Sequence, residues 1–198
     1  MNAQKTALLL IFGIVNVGCN SLAERAKPAI ALPSPQAEYR ILTKNESKNG
    51  ELLTIVSLER MSIIGPEVGE PIGFSSMFAY DKKSQAVPVA YISFYSNGSK
   101  CRFPSKSEIT FVADGQAIRI ANKPVTAKLS EGTSTSLSEP GPDGCKESLD
   151  VLLPQRVYSR IANARLVEVQ FGELKFRLNE NHLNALRELA RRMAESKP

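Results

Sequence analysis

Three cysteines, one histidine and a few spaced acids are the residues of this 198-residue chain whose chemistry could go beyond packing. Cys101 and Cys145 enclose a loop of about 45 residues, and joining them would stabilise the fold by about 4 kcal/mol on chain entropy. Two free buried thiols are the alternative. The lone histidine, His182, falls at the third position of an expected helix, where the dipole disfavours its protonated form and a surface position is the ordinary reading. It could serve as base to Ser148, with Asp150 as the acid, only if the fold assembled them. A zinc or iron centre needs several His or Cys ligands, which one histidine and a paired cysteine set cannot supply. No metal and no cofactor are therefore expected. Glu67 and Glu70, in the loop GPEVGEPIG, could form a hydrolytic carboxylate pair, but turn chemistry accounts for that loop better. The chain contains no GxxxxGK[ST], GxGxxG, GxSxG, HExxH or CxxC. It also lacks Trp, which argues against a sugar-stacking site. No catalytic residue is assigned, and an enzyme is not expected.

The odd cysteine, Cys19, closes an export signal. Met1–Thr6 carries one cation, Lys5; Ala7–Val17 (ALLLIFGIVNV) is uncharged and mostly apolar; small Gly18 precedes Cys19. Val17-Gly18-Cys19 resembles the bacterial lipobox, with Asn16 where that pattern usually has Leu. The resemblance implies that residues 1–18 are a signal peptide and that Cys19 becomes the acylated, palmitate-bearing first residue of a lipoprotein. Asn20 after it implies the periplasmic face of the outer membrane. Ser21-Leu22-Ala23 offers a rival cut that would release a soluble periplasmic or secreted protein. An uncleaved anchor is disfavoured, because Ala7–Cys19 falls short of the ~20 residues needed to span a bilayer. Either cut leaves Cys101 and Cys145 as a pair in an oxidising compartment, where a disulfide bond is expected.

Charge points away from nucleic acid. Losing Lys5 with the leader leaves 24 cations against 20 anions, spread along the chain. Arg191-Arg192 has Glu188 and Glu195 one turn to either side, the pattern of a solvated helix face.

These residues must be positioned by a body behind a spacer. Residues 19–36 contain Pro28, Pro33 and Pro35 and show no sustained periodicity, as a flexible tether would. Extended, it would reach at most about 55–60 Å. Residues 37–198 match one domain of ordinary size. Asp114-Gly115 predicts a hairpin setting Phe111 opposite Ile118 and Ile109 opposite Ile120. Gly172-Glu173 predicts another, with Phe171, Val169 and Val167 facing Leu174, Phe176 and Leu178 on an apolar side, and Glu168–Arg177 and Gln170–Lys175 opposite. Asn97-Gly98 predicts a third, pairing Phe94 with Cys101 and Ile92 with Phe103 and turning Cys101 inward. Further strands are expected at Tyr39–Leu42, Leu52–Leu58, Met77–Tyr80 and Ser148–Leu152. The Asn45-Glu46-Ser47 and Asn97-Gly98-Ser99 sequons read as turns, and Ser130–Gly144 as a polar surface loop. Pro154 opens a short helix over Gln155–Asn163. Asn179 caps a second over Glu180–Glu195, whose Leu183, Leu186, Leu189/Ala190 and Met193 form one apolar stripe. That stripe should cover the Val167–Leu178 hairpin, leaving Arg187 on the polar side; a partner-docking arm is the alternative.

Arg160–Met193, containing Ile161-Ala162-Asn163-Ala164, Val167–Gln170, Phe176/Leu178 and Leu183 to Met193, is similar to the C-terminal part of uncharacterised exported bacterial proteins. The resemblance implies a β-rich body closed by a helix and brings no activity. The fold class expected is α+β, mainly β: an antiparallel sandwich or barrel-like sheet packed by a C-terminal amphipathic helix. The function expected is that of a non-enzymatic, lipid-anchored cell-envelope module, bound to the membrane through Cys19 and to a protein or envelope partner. A small exported hydrolase and an inhibitor or immunity-type protein are the alternatives.

Overall fold

The computed structural model of the chain describes residues 39–48, 51–81, 89–103, 108–121 and 132–196. Cys19, the signal and the tether lie outside the described residues.

The larger of two antiparallel sheets runs in the order β1 (Ile41–Lys48), β2 (Glu51–Leu58), β4 (Ile72–Asp81), β5 (Val89–Gly98), β9 (Gly144–Pro154), β8 (Thr133–Gly141), with short β3 (Met61–Ile63) paired to β4. The smaller sheet runs β11 (Leu174–Leu178), β10 (Val167–Phe171), β6 (Ile109–Ala113), β7 (Gln116–Ile120). Helix α1 (Gln155–Ala162) follows β9 directly, and α2 (Glu180–Glu195) ends the fold. Neither sheet closes into a barrel. These elements belong to one compact unit, Ala37–Pro198.

Alternation builds the core, because successive strand side chains point to opposite faces. On β4 and β5 the even positions Ile72, Phe74, Phe78, Ala90, Ile92 and Phe94 are buried, and on β9 the odd positions Leu149, Val151 and Leu153 join them. The sheets meet through rings: Phe94 lies 5.7 Å from Phe176 and 6.5 Å from Phe111, and Phe103 lies 5.6 Å from Phe171. Helix α2 packs on the same inner side, against β2, β4, β11 and α1. Its Leu183, Leu186, Leu189, Ala190 and Met193 are all buried, so the stripe is core. It covers strands of both sheets, a wider footprint than the hairpin alone.

Two hairpins keep the expected register to the residue. Phe111 faces Ile118, and Val169 faces Phe176. Their turns supply the left-handed backbone that two-residue loops require, at Asp114 (φ 48°), Gly115 (φ 81°) and Gly172 (φ 58°).

Other expectations are corrected. Asn97-Gly98 makes no hairpin: β5 runs straight through it, Ile92 pairs with Ser76 and Val151, and Gly98 pairs with Cys145. Neither residue has the positive φ that a type I′ turn demands. Cys101 is consequently exposed. Ser130–Gly144 is no loop either, since Thr133–Gly141 is strand β8, paired along its length with β9. Its Ser/Thr alternation carries almost no apolar signal, and Pro140 is tolerated because β8 is an edge. Asn45 sits within β1, its side-chain oxygen accepting from Thr54 Oγ1 at 3.0 Å.

Candidate functional site

Cys101 and Cys145 are joined, with Cα atoms 5.1 Å apart, within the usual range for a bridge. Beside them lies a polar node the sequence did not reveal. The buried Glu147 carboxylate accepts from the Arg102 and Phe103 backbone N–H groups at 2.8 and 2.6 Å, and from Ser138 Oγ at 3.2 Å. The Arg102 guanidinium donates to the Val68 and Glu70 carbonyls and to Ser96 Oγ. Together these contacts pin the segment after β5 across the end of the sheet. Sulfur and oxygen atoms of Cys101, Cys145 and Glu147 lie within 4.8 Å of one another. They make a poor metal set, because the bridge consumes both thiolates and the carboxylate is already engaged by N–H donors.

The structure separates His182 from Ser148 and Asp150. The imidazole is 2% exposed, edge-on to the inward-facing Phe74 ring at 5.3 Å. Its Nδ1 accepts from Asn179 N–H at 3.2 Å, while Asn179 Oδ1 accepts from His182 N–H at 3.0 Å. This reciprocal box caps α2. Burial pushes the imidazole pKa down, with a bond to the Ser62 backbone opposing the shift. Ser148 and Asp150 occupy the opposite, outward face of β9, where Asp150 accepts from Ser93 Oγ at 2.6 Å. No Ser–His–Asp triad is assembled, and His182 is a buried cap where a surface residue was expected.

Of Glu67 and Glu70, the second is engaged by a backbone donor. Glu70 accepts from Ser99 N–H at 3.1 Å, and that bond holds its carboxyl below the usual range. A lowered carboxyl is ill suited to act as a general acid. Glu67 is simply exposed.

What stands out instead is the outward face of the larger sheet. Register places Leu42, Ser57, Met77, Tyr91, Leu152 and Thr133 in one row across it, and Ser75, Ser93, Asp150 and Thr135 in the next. Met77 is 42% exposed and Leu137, one row further, 58%. Arg60 lies 4.5 Å over the Tyr95 ring, whose hydroxyl is 3.3 Å from Ser75 Oγ. Among the described residues, both helices and the smaller sheet lie on the other side of this sheet. The outward face of the smaller sheet is charged and internally paired, Glu168 meeting Lys175 at 2.9 Å and Arg177 at 3.9 Å, and the β1 edge of the larger sheet's outward face carries one such pair, Lys44–Glu46 at 2.7 Å. Sequence reading missed the apolar face because its apolar residues come from five strands, each contributing one or two.

No protein-family model matches the chain, and no curated protein or solved structure matches it either.

Proposed function

We propose that the chain is an exported, non-enzymatic binding module, held to the cell envelope by acylated Cys19, that docks a protein partner on the outward face of its larger sheet. The observation carrying this reading is the set of exposed apolar side chains on that face. Exposed Met77, Tyr91, Leu42 and Leu137 are set there among short hydroxyl side chains, with the Lys44–Glu46 ion pair at the β1 edge. Apolar and aromatic side chains amid polar ones are what protein interfaces concentrate at their centres. The disulfide bridge suits an oxidising compartment. A proline-bearing tether gives such a module reach from a membrane. None of the described helices is long and apolar enough to cross a bilayer.

Affinity capture from detergent-solubilised envelopes tests the reading. Wild-type protein should retain one partner, and Met77→Lys with Tyr91→Lys should lose it while keeping the wild-type melting temperature. Retention of the same partner by that double variant would refute the docking face.

A further inference from the structure

Glu147 brings a fixed negative charge to the disulfide. Side chains alternate along β9, so Cys145 and Glu147 point to the same side and Lys146 between them points to the other. Cys145 and Glu147 are buried, whereas Cys101 is exposed. Both bridge sulfurs and a Glu147 oxygen lie within 4.8 Å of one another.

Hydrogen bonds hold the carboxylate in this place. Arg102 N–H reaches both of its oxygens, at 2.8 and 2.9 Å, and Phe103 N–H and Ser138 Oγ reach one of them. Among the described residues, Glu147 forms no ion pair. The three cations nearest in sequence to the bridge are directed elsewhere. The Arg102 guanidinium donates to the Val68 and Glu70 carbonyls and to Ser96 Oγ. Lys100 acts on the Glu70 carboxylate. Lys146 is exposed on the outward side of β9, paired in register with Glu139.

Such a charge bears on how the bridge can be opened. In thiol–disulfide exchange a thiolate attacks one sulfur, the S–S bond breaks, and its electron pair leaves on the other sulfur. Exposure directs solvent thiols to Cys101, which makes buried Cys145 the leaving thiolate. Negative charge is then spread over three sulfurs, two of them belonging to the bridge beside Glu147. Repulsion in a buried site is weakly screened. Burial and a like charge both disfavour the departing thiolate.

We propose that Glu147 protects the bridge from reduction by repelling anionic thiols at Cys101 and disfavouring departure of the Cys145 thiolate. A cationic thiol brings its own compensation, since its ammonium is attracted by the same carboxylate that repels an acidic thiol. The bridge therefore discriminates between reductants by their charge. Reduction is completed when a second thiol displaces Cys101 from the mixed disulfide. Two thiols RSH are then oxidised to RSSR, and their protons end on the two cysteines. This property stands independently of the docking face.

Initial rates of bridge reduction in the full chain in neutral detergent test it, with cysteamine and mercaptoacetate as the reductants. The quantity read is the ratio of their rate constants, cysteamine over mercaptoacetate, each expressed per thiolate. Glu147→Gln should lower that ratio about tenfold relative to the wild type. Loosening of the site alone would speed both thiols equally and leave the ratio where it was. Should the variant fail to fold, wild-type protein unfolded in urea takes its place, and its ratio should drop in the same direction. An unchanged ratio in that comparison would overturn the proposal.

Discussion

Burial of the His182 imidazole against Phe74 ties the start of α2 to acid. Because burial lowers its folded pKa, the neutral form is favoured in the native state. The stability it brings is complete above the unfolded value of ~6.5 and is lost as pH falls below that, toward the folded value. The carboxylates with lowered pKa, Glu70, Asp114 and Glu188, have ordinary values below 5. They lose their contributions only at lower pH, so the window from about pH 6.5 to 5 isolates the histidine. Melting temperature should fall across that window in the wild type. In His182→Gln, whose amide can still accept from the Asn179 N–H, the profile should be flat there. Glu147 is the other residue on which a local structure turns. Glu147→Ala strands three donors in a buried site, and chemical denaturation should show a loss of about 3 kcal/mol or more. Neither role was legible in the sequence. A glutamate between Lys146 and Ser148 looks like a strand-surface residue until the topology folds residues 102 and 103 over it.

Elements specified by their own neighbours in sequence were the ones that could be read. The β6–β7 and β10–β11 hairpins carry turn residues and alternation within a dozen positions, and α2 carries its cap and its stripe. The β5–β9 and β8–β9 pairings bring together strands distant in sequence or poor in apolar residues, and Asn97-Gly98 imitates a turn the wider sheet does not use. Helix α2 shows where periodicity misjudges a single position. Leu186→Ala should cost about 2–5 kcal/mol, as expected for a truncated core leucine. Arg187, assigned to the polar side, does more than solvate it. Its guanidinium donates to Glu180 and Asn184 at 2.7 and 2.8 Å, and to the Ala164 carbonyl at 2.9 Å, joining α2 to the segment before β10. Arg187→Ala should therefore cost about 1–2 kcal/mol, where periodicity alone predicts about 0.5 kcal/mol or less. Denaturant titration of both variants measures the two costs side by side.

For the whole molecule, covalent chemistry marks both ends of the proposal. Opening the Cys101–Cys145 bridge as the double serine variant should cost about 2–4 kcal/mol, measured by non-reducing denaturant titration. Cys19→Ala should shift the protein from the membrane fraction to the soluble one. A native chain whose mass begins at Glu24 without lipid would reject the anchor and leave the folded module intact. The central claim, a partner held on the outward face of the larger sheet, is tested most directly by photocrosslinking in living cells. A photoreactive residue at Met77 or Tyr91 should yield one shared adduct band, and the same residue at Lys175, on the smaller sheet's charged face, should yield none. An identical adduct from Lys175, or no adduct from Met77 and Tyr91, would contradict the account.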